Sequence, residues 1–485
     1  MSWWKVIIAN LPEVAGPTQK RLSFKEKLKW TGITLIIFFV LSLIPLFGLG
    51  QNALEQFEYL SIILGAKFGS IMSLGIGPIV TASIVLQLLN GSGIIKFDLT
   101  SEEGKKNFQG IQKLLAIFFI IFEAAIYVFM GGLAPASELA GMPVYFQLQM
   151  LLVFQLFLGG MLILFMDEII SKWGFGSGIS LFIAAGVSEQ IFIRALNPLS
   201  SPTNPDIAIG AIPALFQSLA AGDPITALLM AATVIATIIV FVLAVYAQAM
   251  KIEIPLSFGR VRGYGMRWPL HFIYTSNIPV ILVAALMANL QLWARLLQRA
   301  TEGCRQAIQT GGVCSTGQSM LTSISNFFGT FQGNSPESGL VVWLQSPNIV
   351  NKVITGTFQP IDMAHASVYA LFMIGGAVLF SVFWVQTAGM DAKSQAKQIL
   401  SSGLQIPGFR KDQRILEHLL NRYIWPLTVM GAITVGALAA LADLGGALSR
   451  GTGILLTVMI IYRLYEEIAK QHMMDMHPMM RKFME

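Results

Sequence analysis

Long apolar stretches, each about the length of a membrane-spanning helix, recur along the whole chain. A helix needs about 20 predominantly apolar residues to cross the hydrocarbon core of a bilayer, and each such stretch here contains few or no charged residues. This pattern predicts an all-α polytopic membrane protein with ten transmembrane helices. The predicted spans cover residues 30–49, 68–91, 114–136, 145–166, 176–195, 224–250, 270–294, 363–389, 423–442 and 451–471.

Composition supports a membrane protein, and the distribution of basic residues predicts its orientation in the membrane. Of the 485 residues, 54% are apolar and only 12% are charged, which is far from the composition of a soluble domain. Most of the 32 Lys and Arg lie in segments that share one side of the membrane with the N-terminus. Because cytoplasmic loops carry an excess of basic residues, both termini, including the tail 472–485, are predicted to be cytoplasmic in a cell membrane.

The first 29 residues combine short apolar runs with a basic cluster and with Pro12 and Pro17. They lack the continuous apolar region of a removable signal peptide. We therefore expect segment 1–29 to form an amphipathic helix that lies on the cytoplasmic surface of the membrane.

Two short segments indicate an internal repeat. "GSGISLF" (Gly176 to Phe182) begins the fifth span, and "GTGILLT" (Gly451 to Thr457) begins the tenth; four of seven positions are identical. Successive units of five spans have opposite orientations, so the pattern predicts an inverted repeat with a pathway between its halves. The halves would cover residues 30–195 and 224–471, with a hinge in the Pro-rich outer segment 196–223.

The two longest predicted cytoplasmic loops, 251–269 and 390–422, are both basic. These charges could simply set the topology. They could also form a docking surface for an anionic partner such as ribosomal RNA, where Lys and Arg gain affinity from phosphate contacts and counterion release. The basic residues that cluster at the loop tips are Arg260, Arg262, Arg267, Arg410, Lys411 and Arg414.

Both cysteines lie in a long predicted outer loop, 300–362. Cys304 and Cys314 are close enough in sequence to close a small loop through a disulfide outside the reducing cytosol. Two free thiols are the alternative, because sequence does not provide their geometry.

Sequence patterns of common catalytic sites are missing. The five histidines do not form an HExxH motif, and the chain has no GxSxG elbow, no Walker loop and no paired intramembrane aspartates. The sequence therefore predicts a protein that is not an enzyme, with no catalytic residues, metal site or cofactor.

A few polar residues lie inside predicted spans. Placing the Glu123 carboxylate inside a span costs free energy and marks a functional or paired group, unless the residue lies close enough to an interface to reach water or be protonated. Span 68–91 also contains Gly75, Gly77 and Pro78, which predict a break in the helix where it lines a cavity. The remaining polar side chains, which could pair with Glu123 or only join helices, are Thr81, Ser83, Gln87 and Asn289.

Longer motifs resemble one known family. The chain resembles the archaeal, eukaryote-like branch of the SecY family, the channel subunits of the Sec protein translocon, over nearly its whole length. The outer segment 300–362 is longer than is usual in that family. The motifs that carry the resemblance are "FKEKLKWTG" (24–32), "LGIGPIVTASIVLQLL" (74–89), "DEIISKWGFGSGISLFIAAGVS" (167–188), "SNIPVILVAALMANLQLW" (276–293), "PGFRKDQR" (407–414) and "GTGILLTVMIIYRLYE" (451–466).

The resemblance implies a clamshell of two inverted five-helix halves around an hourglass pore closed by a ring of aliphatic side chains. The internal repeat aligns Ile179 with Ile454, whereas the family pattern selects Leu456 for the ring. We follow the family at that position. The implied ring residues are Ile76, Val80, Ile179, Ile183, Ile281 and Leu456.

The resemblance also implies a plug and a lateral gate. The plug corresponds to residues 57–67, and its named positions are Phe57, Leu60, Ile63, Leu64 and Gly65. The gate opens where the second and third spans separate from the seventh and eighth. The polar residues that match the gate are Thr81, Gln87, Glu123 and Asn289.

The expected function is that of a protein-conducting channel for unfolded secretory polypeptides, which releases transmembrane segments sideways into lipid. A secondary transporter of small solutes shares inverted repeats and broken helices, but it would require more convergent polar groups than Glu123. No cofactor is implied. The implied partners are SecE-type and Sec-beta-type small membrane subunits, the ribosome with its nascent chain, signal sequences, the lipid bilayer and further Sec complexes.

Overall fold

The computed structural model shows a mainly helical protein. It describes residues 10–18, 22–52, 67–91, 94–95, 97, 102–139, 141–199, 207–258, 265–275, 278–309, 316–332, 335–401, 404–405, 412–449 and 451–476. Within these residues, seven helices are long and apolar enough to cross a membrane.

The N-terminal half contains one helix for each of the first five predicted spans. Helix α1 begins after a capping box, in which Ser23 Oγ accepts from the Glu26 N–H and Glu26 Oε2 accepts from the Ser23 N–H, each at 3.4 Å. A short antiparallel pair of strands, β1 (Gln51–Asn52) and β2 (Leu133–Ala134), joins two outer connections. The helices are α1 (Phe24–Ser42), α2 (Gly77–Gly91), α3 (Glu102–Phe129), α4 (Pro143–Trp173) and α5 (Gly178–Leu196).

The C-terminal half likewise contains a helix for each of its five predicted spans, with shorter elements between them. Its strands are β3 (Lys251–Phe258), β4 (Gly265–His271), β5 (Thr330–Gln332), β6 (Ser335–Ser338) and β7 (Leu404–Gln405). Its helices are α6 (Ala211–Ala221), α7 (Pro224–Ala249), α8 (Ile278–Gln309), α9 (Thr316–Phe328), α10 (Leu340–Trp343), α11 (Ile349–Ile354), α12 (Pro360–Thr387), α13 (Ala392–Ser401), α14 (Gln413–Leu444) and α15 (Gly451–Met476).

The two halves meet at several contacts between helices. Helix α2 packs against α12, and α15 packs against α5 and, less extensively, against α1. Small residues allow close approach within each half: a Cβ on Gly376 of α12 would lie 2.9 Å from a methyl carbon of Val283 of α8. Separate apolar cores fill the two halves, and a third cluster lies between them.

Helix α2 is shorter than the predicted span 68–91. Gly75 takes a left-handed conformation with φ of 55°, and the helix begins only at Gly77. Pro78 therefore lies in the first helical turn, where a missing N–H costs little. The predicted break inside a helix is corrected to a helix start.

The N-terminal segment also differs from its prediction. Residues 10–18 are not helical, so the predicted surface helix is wrong for this stretch. Pro12 and Pro17 disfavour a helix here, and backbone groups bond instead to the end of α4: the Val14 N–H donates to Glu168 Oε2 at 2.9 Å, and the Ala15 carbonyl accepts from Trp173 Nε1 at 2.9 Å.

Two of the predicted loops contain regular structure. Strands β3 and β4 form an antiparallel hairpin, and β7 pairs with β3, so both basic loops contribute to one three-stranded sheet. The predicted hinge contains α6, and the outer loop 300–362 contains α9 to α11 with the β5–β6 hairpin. The all-α description therefore holds for the spans, while small sheets lie outside them.

Candidate pore and lateral gate

Six aliphatic side chains proposed as a pore ring lie together in one apolar cluster. They come from α2 and the turn just before it, and from α5, α8 and α15, so both halves contribute. Ile76, Ile183 and Leu456 are each only 1% exposed. The other three, Val80, Ile179 and Ile281, are half-buried and pack against the same cluster.

The structure separates two candidates for the ring position on α15. Leu456 lies in the cluster between the halves, whereas Ile454 lies in the core of the C-terminal half. Both side chains are almost fully buried, so burial alone does not distinguish them. Their different neighbours do, because positions two apart on a helix point to different sides.

Two cavities that share lining residues lie between the three-stranded sheet and this cluster: the larger is lined partly by β4, and the smaller reaches the cluster. The larger, of about 560 Å³, is lined by residues from β4, α12 and α15 that include His271 and Trp384. The smaller, of about 290 Å³, reaches Leu181 and Ile460, which belong to the apolar cluster. Arg463 of α15 lines both cavities, which we call the vestibule.

Two acidic side chains of α15 also line the vestibule. Glu467 lines both cavities and Glu466 lines the larger one, so the polar end of this helix faces open space rather than a packed core. Within the described residues, no group of three or more His, Cys, Asp or Glu side chains could hold a metal ion. Charged side chains line the vestibule, and the cluster that it reaches is apolar. The vestibule is therefore a polar entrance that leads to an apolar constriction.

The contact between α2 and α12 is the seam at which a lateral gate would open. Thr81 of α2 donates to the Gly77 carbonyl at 2.9 Å and to Glu123 Oε1 of α3 at 3.4 Å. Both Thr81 and Glu123 belong to the N-terminal half. This bond therefore joins α2 to α3 on one side of the seam and does not bridge it.

The structure gives less detail for the remaining gate candidates, Asn289 and Gln87. Asn289 is half-buried on α8, in the C-terminal half, while Ser83, which was predicted only as a polar residue inside a span, is half-buried on α2. Gln87 lies on α2, but its side chain is outside the described part of the chain.

The predicted plug lies almost entirely outside the described residues. Phe57, Leu60, Ile63, Leu64 and Gly65 all fall in the gap between residues 52 and 67. An outer cavity of about 500 Å³ is lined by residues that flank this gap on both sides. The flanking residues include Gly50, Lys67 and Phe68.

Of the predicted docking residues, the structure describes Arg267 and Arg414. Arg267 projects from β4 with its side chain 79% exposed, and its Nη1 lies 3.1 Å from Glu253 Oε2 on the paired strand. Arg414 is exposed in the first turn of α14, after the N-cap Asp412. Arg260, Arg262, Arg410 and Lys411 lie outside the described residues, as does the Cys304–Cys314 pairing.

Sequence reasoning missed the sheet that joins the two basic loops. A signal was present, because "KIEIPLSF" alternates apolar residues and the Gly-rich "GRVRGYG" that follows favours a turn. It also missed two carboxylates at helix starts: Asp167 Oδ1 accepts from the Ile179 N–H at 3.0 Å, and Asp443 Oδ1 accepts from the Gly451 N–H at 2.6 Å. Both bonds join separate helices, so no local pattern reveals them.

Comparison with family models gives two matches. Residues 70–465 match the SecY family, and residues 36–69 match the plug domain of Sec61p. The second range includes the segment predicted as the plug.

Comparison with individual proteins agrees with the two family matches. The chain is 44% identical to the protein translocase subunit SecY of Methanothermobacter thermautotrophicus, over 99% of this chain and 97% of the relative. It resembles a solved protein-conducting channel with a TM-score of 0.77 and 40% identity, covering 97% and 98% of the two chains. Sec61 in a canine ribosome-channel complex matches with a TM-score of 0.75, 40% identity and the same coverage. These matches confirm the predicted fold class.

Proposed function

The chain belongs to the SecY family, and we propose that it forms a protein-conducting channel that moves unfolded secretory polypeptides across a membrane and releases their apolar segments sideways into lipid. One observation carries the proposal: six aliphatic side chains, five on helices of both halves and Ile76 in the turn before α2, meet in one cluster at the inner end of the vestibule. The similarity to protein translocase subunits does not support the alternative of a small-solute transporter.

An apolar ring suits this task physically. A hydrophobic constriction blocks ions by dewetting and needs no charged filter. It therefore imposes no sequence requirement on the polypeptide that passes. We propose that the ring comprises the six residues described above, and that residues 57–67, within the segment that matches a plug domain, seal it from the outer side.

Selection of substrates would then occur at the seam between α2 and α12. A signal sequence with about 10 apolar residues gains roughly 0.5 kcal/mol for each on entering lipid, or about 5 kcal/mol. A two-state element needs about 5.5 kcal/mol to shift from 1:99 to 99:1. Binding of a signal sequence therefore supplies nearly enough free energy to open the seam, provided that its polar contacts are weak.

Partners and orientation complete the proposal. A ribosome would dock at the three-stranded sheet and its basic tips, as the ribosome-bound relative supports; small SecE-type and Sec-beta-type subunits would complete the complex. Both termini would be cytoplasmic in the cell membrane, because the sheet carries the basic loops that the positive-inside rule assigns to that side. The vestibule would then open toward the ribosome.

The decisive experiment is crosslinking to a stalled nascent chain. A photoreactive side chain at Ile183 should crosslink to the polypeptide during translocation. The matched control is Phe192 on the same helix, which is 68% exposed on the outside of the structure and should not crosslink. Absence of a crosslink at Ile183, or equal crosslinking at both positions, would contradict the channel.

A further inference from the structure

A buried carboxylate anchors the last helix of the C-terminal half. Asp443, near the end of α14, is 8% exposed. Its Oδ1 accepts from the N–H of Gly451, the first residue of α15, at 2.6 Å, and its Oδ2 accepts from the Tyr369 hydroxyl of α12 at 2.5 Å. One side chain thus joins three helices of this half.

The N-terminal half contains a similar arrangement at the start of its own fifth helix. Asp167 lies on α4, the fourth helix of its half as α14 is of the other. Its Oδ1 accepts from the N–H of Ile179, the second residue of α5, at 3.0 Å. The adjacent Glu168 forms an ion pair with Lys113 of α3. Here too, acidic side chains of the fourth helix hold both the third and the fifth.

Glycines make the two anchors possible. A Cβ on Gly178, the first residue of α5, would lie 2.6 Å from Asp167 Cα. A Cβ on Gly451 would overlap Ala439 O and Ala442 Cβ of α14. In each half, therefore, the fifth helix starts in direct contact with the fourth, and only glycine permits this approach. Both glycines lie in the "GSGISLF" and "GTGILLT" repeat, in which Gly451 aligns with Gly176 and Gly178 aligns with Gly453.

We infer that Asp167 and Asp443 are positioning residues, one on the fourth helix of each half, that hold the pore-ring side chains of α5 and α15 in register. Ile179 belongs to the first turn that Asp167 caps, and Ile183 follows one turn later. Leu456 lies five residues after the anchored Gly451. A change in the tilt of either helix at its start would displace these side chains directly. The inference rests on the proposed pore.

The chemistry suits a rigid anchor. The first N–H groups of a helix have no partner within the helix, and the helix dipole favours negative charge there. A carboxylate also has a second oxygen, which bonds the Tyr369 hydroxyl in one half. Because α12 borders the seam, that bond links the gate to the α15 part of the ring.

The test measures resting ion conductance of the purified translocon complex in planar bilayers. Asp167→Leu and Asp443→Leu each remove the cap, and conductance should rise roughly tenfold, which corresponds to about 1.4 kcal/mol in the closed equilibrium. Asp167→Asn and Asp443→Asn keep an acceptor oxygen and should remain close to the parent. If Asp443→Leu does not assemble, Tyr369→Phe removes one hydroxyl only and should raise conductance in the same direction.

The matched control is Asp223→Leu. Asp223 caps α7 through the N–H groups of Ile225 and Thr226, but α7 carries no ring residue, so conductance should not change. The inference would be overturned if the Leu variants and Tyr369→Phe kept the parent conductance, or if Asp223→Leu raised conductance equally. Neither result would contradict the proposed pore. Parent-level conductance in Ile183→Gly would overturn the pore as well.

Discussion

At the scale of single residues, the gate depends on a few polar groups in an apolar seam. Thr81 and Glu123 satisfy each other within the N-terminal half, so their bond survives when the seam opens. Asn289 lies on the other side, on α8, and is half-buried. Of the predicted gate residues, it is the one that belongs to the C-terminal half.

Replacing Asn289 with Leu should raise the hydrophobicity that a signal sequence needs for export. Enclosing an amide in an apolar seam costs about 1 kcal/mol, and Leu removes this cost and stabilises the closed gate. At about 0.5 kcal/mol per apolar residue, signals should need roughly two more such residues. An export assay with a graded signal series measures the threshold. Trp293→Leu, at an exposed position on the same helix, is the control, and an unchanged threshold in Asn289→Leu would contradict the role.

The contact between the N-terminal segment and the end of α4 should weaken in acid. Lys172 bonds to Glu13 and holds the pKa of its carboxyl below the ordinary value of 4.5. A group with a depressed pKa stabilises the folded contact above its unfolded pKa and loses that effect as the pH falls through the folded value. Hydrogen-exchange protection of the Val14 N–H should therefore be constant above about pH 5 and fall below about pH 4.

Lys172→Met provides the control for this tether. It should lower protection of residues 10–18 at neutral pH and remove the acid-dependent step. A step of the same size in this variant would mean that Glu13 is not the group responsible.

Residue roles could be predicted from sequence only where a long motif constrained them. The short internal repeat aligned Ile454 with Ile179, and only three-dimensional neighbours show that Ile454 packs in its own half while Leu456 packs between the halves. The anchors of α5 and α15 were also invisible, because each bond joins atoms on separate helices. Local periodicity reports which face of a helix is apolar, but not which other helix covers it.

At the scale of elements, apolar length predicted the positions of ten helices, because a bilayer requires that length. Within the described residues, seven of these helices are long and apolar enough to cross a membrane. Helix α2 is the informative exception, because the positive φ of Gly75 delays its start to Gly77. The sheet was missed for another reason. Its third strand, Leu404–Gln405, has only two residues and pairs with a strand about 150 positions earlier, and such pairing leaves no local pattern.

Reversing a charge at the basic loop tips should weaken ribosome binding in a salt-dependent manner. Each lost phosphate contact reduces the slope of log affinity against log salt by about one. We therefore expect Arg410→Glu to lower affinity and to flatten that slope, in a salt titration of ribosome binding to the purified complex. Lys352→Glu, on α11 in the loop 300–362, is a matched reversal that should change neither. If the affinity for ribosomes changed neither with Arg410→Glu nor with salt, the proposed docking surface would be rejected.

At the scale of the whole molecule, each half has its own core, and the halves share the cluster that contains the ring. This organisation allows the halves to part without unfolding. The inverted repeat was predictable because equal numbers of spans and similar glycine segments mark both halves. The closeness of α2 to α12 was not, because it depends on how two separately folded halves dock.

Side chains from both halves form the ring. Its test therefore compares buried residues of the cluster between the halves with an equally buried residue of the C-terminal core. Changing Ile76 and Ile183 to Gly should widen the constriction, hydrate it and raise the resting ion conductance in planar bilayers. Ile454→Gly is the matched control: this side chain is 2% exposed but packs within the C-terminal half, so its loss should destabilise that core without opening the pore. Parent-level conductance in the double variant, or an equal rise in Ile454→Gly, would show that the cluster between the halves is structural packing rather than the seal.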